Sequence, residues 1–155
     1  MRGKQAPRKT IQPDPKFGRT EITKFINYVM YDGKKTTAQR VVYEAFEIIA
    51  EKTKKDPMEV FEEAMKNISP LLEVKSKRVG GANYQIPMQV RAERRIQLAY
   101  RWLLVAARAV KGKSMAERLA NEIIAASEGN GDAVKKKQDV QRMAEANRAF
   151  AHFAR

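Results

Sequence analysis

Residues 74–95 carry the most distinctive pattern in the chain and read VKSKRVGGANYQIPMQVRAERR. Apolar side chains recur at every second position of the middle part: Tyr84, Ile86, Met88 and Val90. This period of two is typical of a β-strand. A second extended run precedes it, and the glycines and asparagine between the two runs tolerate the positive φ of a tight loop. The pattern predicts a β-hairpin over 72–91, with strands at about 73–79 and 84–90.

The two arms of this hairpin differ in character. Lys75, Lys77 and Arg78 lie on the first arm, and the apolar ladder lies on the second. Because a lone two-stranded hairpin is marginal in water, we expect helices to support its base. Four cations lie within the hairpin region 72–91, so we expect an anionic partner at its tip.

Composition limits the class of protein. The chain has 155 residues, of which 43% are hydrophobic, and this suits a single domain, residues 1–155, with a real core. Lys and Arg number 31 against 18 Asp and Glu, and the net charge of +13 indicates a polyanionic partner, nucleic acid before anionic membrane. No apolar run approaches the roughly 18 residues of a membrane span, and the basic N-terminus is not a secretory signal. The absence of cysteine excludes disulfides and thiolate metal sites. We expect an intracellular, cytoplasmic protein.

The composition of residues 1–18 predicts an extended basic arm. Three prolines block helix formation there, and five cations accompany a single acid, Asp14. Such an arm either lies on nucleic acid or is a solvated tail.

The remainder predicts six helices, hence a mainly α bundle from which the hairpin protrudes. The first covers about 20–31, and Asp32-Gly33 stops it. The second helix is predicted to start at a capping box of Thr36 and Gln39, and the third at Asp56 before Pro57. The fourth is predicted to cover about 92–110. The fifth is predicted to start at a capping box of Ser114 and Glu117, and the sixth at Asp132. The expected inward residues of the last three helices are Ile96, Ala99, Leu103, Ala107 and Val110; Met115, Leu119, Ile123 and Ala126; Val140, Met143, Ala144, Asn147 and Phe150.

Several cations stand where helix stability disfavours them. Arg91, Arg94 and Arg95 open the fourth helix and oppose its dipole at about 0.3–1 kcal/mol each, so phosphate binding explains them better than stability does. The run 135–137 opens the sixth helix, whose N–H groups would add to an anion site. Residues 44–63 instead carry seven acids against three bases, which predicts a surface that avoids phosphate.

Chemistry for catalysis is missing from the pattern. His152 is the single histidine and lies near the end of the sequence, which makes it a poor candidate for a general base. No set of Cys and His residues can hold zinc. Gly80-Gly81 joins two strands, whereas a phosphate-binding glycine loop joins a strand to a helix. Trp102 favours packing over base stacking, whereas Tyr84 suits either role. We expect no enzyme, no cofactor and no metal.

The chain resembles the small-subunit ribosomal protein seven family of the bacterial and organellar type, over almost its whole length. The matching runs, in order, are PDPKFG (13–18), KFIN (24–27), DGKK (32–35), EVKSKRVGG (73–81), YQIP (84–87), RR (94–95), RW (101–102), SMA (114–116), RLANE (118–122), AVKK (133–136) and MAEAN (143–147). The resemblance implies a six-helix fold with one hairpin. It also implies a structural constituent of the small ribosomal subunit that binds the 3′ major domain of the ribosomal RNA and nucleates assembly of the head.

Taken with the charge pattern, the resemblance implies two groups of site residues. The residues expected to bind ribosomal RNA are Arg2, Lys4, Arg8, Lys9, Lys16, Lys34, Lys35, Lys75, Lys77, Arg78, Arg91, Arg94, Arg95, Arg101, Lys113, Lys135, Lys136, Lys137 and Arg142. Those expected near the exit-site tRNA and the mRNA exit are Arg78, Val79, Gly80, Gly81, Ala82, Asn83, Tyr84, Arg142 and Arg148. Neighbouring proteins of the head and platform are further expected partners. For Arg101 and Arg108, solvation or pairing with the acidic helices is the alternative.

Two other classes compete with this interpretation. A helix-turn-helix DNA-binding or nucleoid protein would explain the charge and the helices, but it leaves the hairpin and the spread of cations over five segments unexplained. A membrane-surface protein fails because the basic faces lack flanking Trp or Phe.

Overall fold

The computed structural model describes residues 3–4, 6–7 and 10–154. Within them it contains six α-helices, one antiparallel hairpin and a terminal 3₁₀ helix. The elements are α1 Thr20–Val29, α2 Lys35–Thr53, α3 Pro57–Ile68, β1 Leu72–Val79, β2 Ala82–Gln89, α4 Ala92–Ala109, α5 Met115–Ser127, α6 Asp132–Ala146 and the 3₁₀ helix Arg148–Ala154. The predicted fold class is therefore confirmed. Across the described part of the chain, no helix combines the length and hydropathy needed to cross a bilayer.

Contacts divide the chain into two compact units, Met1–Arg40 and Val41–Arg155, with the boundary inside α2. The first unit contains the N-terminal arm, α1 and the start of α2. The second contains the rest of α2 and every later element. The prediction of one RNA-binding domain over 1–155 concerns both units and stays a prediction.

In the first unit, α1 buries one apolar stripe at helical spacing, as its sequence predicts. Its buried apolar residues are Ile22, Phe25, Ile26 and Val29. The helix ends two residues earlier than predicted, and Asp32 and Gly33 follow with φ of 52° and 72°. This left-handed turn returns the chain to helical geometry at Lys35, so Thr36 lies inside α2 and the predicted capping box is wrong.

The N-terminal arm has no helix or strand in its described residues, and it ends in a turn built on Asp14. The Asp14 carboxylate accepts hydrogen bonds from the N–H groups of Lys16 and Phe17 at 3.1 and 3.2 Å, and Gly18 N–H donates to its carbonyl. Asp14 is buried, at 2% exposure. The single acid of the arm is thus a turn anchor.

In the second unit, aromatic rings connect successive helices. Phe46 of α2 lies 5.5 Å from Phe61 of α3, which lies 6.5 Å from Tyr100 of α4, measured between ring centroids. The start of α3 agrees with prediction, because the Asp56 side chain accepts from Met58 N–H at 3.0 Å.

Helix α4 buries a broader surface than the predicted stripe. It packs against α3, α5 and α6, so residues on both sides of the stripe are buried as well, including Leu98, Tyr100 and Leu104. The two ends of the predicted stripe are wrong, because Ile96 and Val110 are 39% and 41% exposed. The middle of the stripe, Ala99, Leu103 and Ala107, is confirmed.

The start of α5 is confirmed, since the Ser114 hydroxyl accepts from Glu117 N–H at 3.2 Å. The start of α6 differs from prediction. Gly131 is its N-cap, Asp132 is inside the helix without a capping bond, and the Glu122 carboxylate of α5 accepts from Ala133 N–H at 2.9 Å. A buried acid from another helix therefore replaces the local cap.

Helix α6 is also shorter than predicted. It ends at Ala146, where the Asn147 side chain donates to the Met143 carbonyl at 2.8 Å, and the 3₁₀ helix follows. Met143 is 49% exposed, so its predicted inward position is wrong, whereas Ala144 is buried as predicted.

The hairpin has the predicted topology with a tighter turn. Gly80 and Gly81 alone form the turn, with φ of 55° and 91°, which suits a two-residue loop. Ala82 and Asn83 belong to β2, and β1 begins one residue before the predicted start. Helix α6 packs against both strands, so a helix supports the hairpin as expected.

Candidate nucleic-acid interface

The register of the hairpin places two of its three cations on the same face as its apolar ladder. Lys77 lies opposite Tyr84, and Lys75 lies opposite Ile86. Since directly opposed residues project to the same side of a sheet, the long lysine stems lie beside apolar side chains. Arg78, opposite Asn83, projects to the other face. The first arm therefore presents cations on both faces.

Glu73 organises the base of this surface, a role that was not predicted from the sequence. Its carboxylate lies 3.3 Å from Lys75 Nζ and 3.5 Å from Arg94 Nε, and its side chain is 14% exposed. One acid thus holds a strand cation and a helix cation side by side. The signal in the sequence was a lone acid at the start of a basic strand, but the distant partner could not be read there.

The three arginines at the start of α4 have different surroundings. Arg91 is exposed, whereas Arg94 and Arg95 are half-buried. Arg95 Nε donates to the Val90 carbonyl at 2.9 Å, which ties the helix to the end of the hairpin. Arg94 pairs with Glu73. Two of these three residues therefore also fix the junction between hairpin and helix.

Further along α4, the cations lie at the surface. Arg101 is exposed, and so is Lys113 in the following loop. Arg118 holds that loop in place, since its Nη1 donates to the Val110 carbonyl at 2.6 Å. This role of Arg118 was not predicted from the sequence, because the carbonyl that it contacts belongs to the end of the preceding helix.

The three consecutive lysines of α6 have three different environments. Lys135 pairs with Asp132 at 3.0 Å, and Lys136 is exposed. Lys137 Nζ donates to the Asn67 carbonyl at 2.7 Å, and burial lowers the pKa of this lysine. Glu122 accepts from Ala133 N–H, so one of the N–H groups at this helix start already has a partner, and the predicted anion site stays a prediction. Of this run, Lys136 is the most open to a phosphate.

In the first unit, the described cations are exposed. Lys34 and Lys35 follow the Asp32–Gly33 turn, and Lys16 lies with its Nζ 5.8 Å from the centroid of the Phe17 ring. Lys4 is exposed as well. The remaining arm cations, Arg2, Arg8 and Lys9, lie outside the described residues, as does Arg155.

The residues expected near tRNA and mRNA lie at the hairpin tip and in the C-terminal region. Residues 80–83 are exposed, and Val79 is half-buried. Arg142 lies 3.8 Å from Asp139, and Arg148 is exposed. Tyr84 is half-buried against two rings of the 3₁₀ helix, Phe150 and Phe153, so it packs within the chain. Trp102 is half-buried.

Contacts within the second unit bring three of these elements together. Helix α6 packs against β1, β2 and α4, and the Glu73–Arg94 pair joins β1 to the start of α4. The elements that carry these cations are thus neighbours in space although they are distant in sequence, and Lys75 and Arg94 lie on the same carboxylate. Among the described residues, no three His, Asp or Glu side chains converge as metal ligands would.

The chain is similar to known ribosomal proteins along its length. A family model described as ribosomal protein S7p/S5e matches residues 1–148. The small ribosomal subunit protein uS7 of Thermotoga maritima is 59% identical over 153 residues, 99% of each chain. The uS7 protein of Moorella thermoacetica is 59% identical over 149 residues, 96% of each chain, and that of Polynucleobacter necessarius is 56% identical over 152. The chain therefore belongs to the S7p/S5e family of ribosomal proteins.

Proposed function

We propose that this chain binds the 3′ major domain of small-subunit ribosomal RNA as a primary binding protein and nucleates assembly of the subunit head. As a family member it is a structural, non-enzymatic protein of the small ribosomal subunit. The proposal goes further in naming the RNA domain, the early place in assembly, and a hairpin near the exit-site tRNA and the mRNA exit.

The observation that supports the proposal best is the cation cluster organised by Glu73. Lys75 and Arg94 share its carboxylate, so two positive groups from separate elements are kept close together and a net positive charge remains. Holding them before binding reduces the side-chain ordering that binding would otherwise cost. A phosphate that meets this cluster finds its partners already in place.

The form of the surface suits RNA better than DNA. An A-form duplex hides its base edges in a deep, narrow groove, so recognition relies on phosphates, 2′-hydroxyls and unpaired bases. Cations spread over a hairpin, a helix start and a second helix fit an irregular RNA junction. A helix-turn-helix would concentrate them on one recognition helix.

The exposed lysines of the first unit supply a separate contact. Lys34 and Lys35 lie beside a left-handed turn, in a unit distinct from the hairpin. We infer that the two units touch different RNA elements and so hold their junction in one fold. Such bridging is what a protein that nucleates assembly must do. Arg142 and Arg148 would serve the neighbouring tRNA and a platform protein.

The salt dependence of binding tests the hairpin contact. Lys75, Lys77 and Arg78 are replaced together by Gln, and affinity for a 3′ major domain transcript is measured by filter binding over a range of salt. Each lost phosphate contact removes about 0.7–0.9 from the log–log slope, so the slope should fall by about 2–3. The matched control replaces Lys52, Lys54 and Lys55, which removes the same charge from the acidic segment 44–63.

Two results would contradict the proposal. An unchanged slope in the hairpin variant, or an equal fall in the control, would show that the hairpin cations do not contact this RNA. Tighter binding to duplex DNA than to the transcript at equal salt would favour a DNA-binding protein instead.

A further inference from the structure

The C-terminal 3₁₀ helix Arg148–Ala154, hereafter the tail helix, lies on the hairpin. The Tyr84 ring is 5.1 Å from the Phe150 ring and 5.5 Å from the Phe153 ring, centroid to centroid. Lys77 Nζ donates to the Phe153 carbonyl at 3.1 Å. One short helix therefore contacts both an aromatic residue of β2 and a cation of β1.

These two hairpin residues form a pair. Lys77 lies directly opposite Tyr84 in the register, so both side chains project from the same face. An aromatic ring beside a cation is the arrangement that binds an unpaired nucleotide, because the base stacks on the ring and the phosphate meets the charge. In this structure phenylalanine rings and a backbone carbonyl occupy both positions.

Two features of the tail helix favour its displacement from the hairpin. It is seven residues long, whereas 3₁₀ runs beyond three or four residues are uncommon because their hydrogen bonds have poorer geometry. Asn147 separates it from α6, which ends at Ala146. Its contacts are chiefly with β2, so we expect its displacement to leave α6 folded.

We propose that Tyr84 and Lys77 form a latent site for one unpaired RNA nucleotide, which the tail helix closes in the free protein. Phe150 and Phe153 take the place of the base, and the Phe153 carbonyl takes the place of the phosphate. RNA then exchanges with the tail helix at this face. This inference rests on the proposed function, in that the hairpin must face RNA.

The first experiment weakens the closure without changing charge. Phe150→Ala with Phe153→Ala leaves the net charge as it is, so a change in affinity is not a general electrostatic effect. The probe is a short fluorescein-labelled oligouridine, followed by fluorescence anisotropy at fixed salt. Because closure lowers the population of open sites, the double variant should bind about tenfold more tightly.

Two further variants assign the gain to the paired residues. Tyr84→Ala should cancel the gain when it is combined with the double variant, because no ring is left on which the base can stack. Met143→Ala is the matched control, since Met143 is an exposed apolar residue of α6 whose truncation should leave affinity unchanged. A gain that survives Tyr84→Ala, or no gain in the double variant, overturns the closure.

A second measurement follows the tail helix in the otherwise intact chain. The sequence has no cysteine, so Ser76→Cys and Ala151→Cys give two unique labelling sites, both at exposed positions. The distance between spin labels should lengthen when the 3′ major domain transcript is added. A distance that stays constant while the transcript is bound overturns the exchange. If the protein without the two cysteine substitutions does not bind the transcript, that result would instead count against the proposed function.

Discussion

The hairpin tip and the junction before α6 look alike in sequence but serve different purposes in the structure. Each contains glycines with φ near 90°, namely Gly81 at 91° and Gly131 at 92°, and each lies near three cations. A side chain added at Gly81 would meet no atom within 4 Å, whereas one added at Gly131 would meet Glu122 Oε1 at 2.8 Å. The tip is open to a partner, and the junction is locked into the body of the second unit.

Polar contacts explain why the junction is locked. Glu122 accepts from Ala133 N–H, Asn67 donates to the carbonyls of Ala126 and Ser127, and Lys137 donates to Asn67. Together these bonds connect α3, α5 and α6. Similar sequence signals therefore have different consequences, depending on whether the structure surrounds them.

The largest effect should come from substituting the two glycines. Alanine at either position adopts an unfavourable φ, which costs about 1–2 kcal/mol at Gly81 and about 1–3 kcal/mol at Gly131, where ψ is 167°. Gly131→Ala must also push Glu122 away from a buried N–H group, which adds about 1–3 kcal/mol. We expect urea unfolding to show a total loss of about 3 kcal/mol for Gly131→Ala and about 1–2 kcal/mol for Gly81→Ala.

A double-mutant cycle makes that prediction specific. Glu122→Ala removes the atom that the new methyl group would meet, so its cost and that of Gly131→Ala should overlap. Full additivity of the two losses, or equal losses at Gly81 and Gly131, would show that Glu122 does not distinguish the two turns.

Local patterns carried most of the fold. The alternation at 84–90, the glycine pair, and the caps at Asp56 and Ser114 each depend on neighbours a few residues away, and each was predicted correctly. Other local signals failed: Thr36 lies inside α2, and Glu122 of α5 replaces the cap predicted at Asp132. Ile96 and Val110 were misplaced because they lie near the two ends of α4, where both are exposed.

The same distinction applies to the candidate site. The sequence shows which residues carry positive charge, but it does not show their partners. The second partner of Glu73 is 21 residues away, and the partner of Lys137 is 70 residues away. Pairing over such separations is set by packing, which no short motif records. The contact of Tyr84 with Phe150 is likewise visible only once the tail helix is seated on the hairpin.

A smaller effect should separate two adjacent lysines at the junction. Lys136→Met should lower the log–log salt slope for the 3′ major domain transcript by about 0.7–0.9, with little change in stability. Lys137→Met should leave the slope unchanged and lower the free energy of unfolding by about 1 kcal/mol, because the Asn67 carbonyl loses its donor. Filter binding and urea unfolding measure the two quantities. Equal changes of slope would mean that both lysines face RNA.

A similarly small effect on rRNA affinity should come from shortening the tip. Deleting Arg78, Val79, Ala82 and Asn83 removes two opposed pairs and leaves the Gly80–Gly81 turn joined to Lys77 and Tyr84. Because hydrogen-bonded and non-hydrogen-bonded pairs alternate, removing two pairs keeps the pair beside the turn of the correct kind, whereas removing one would not. The remaining residues keep their faces.

For the naked transcript, the shortened protein should match Arg78→Gln, since both lose the same single cation. The two should differ in assembled subunits, where the short hairpin should retain exit-site tRNA less well in a filter-retention assay. A much larger loss of transcript affinity than Arg78→Gln causes would mean that the tip itself anchors the RNA. In that case both glycine turns would be enclosed, the Gly131 turn by this chain and the Gly80–Gly81 turn by the RNA. The contrast between the two turns would then concern only the molecule that encloses each one.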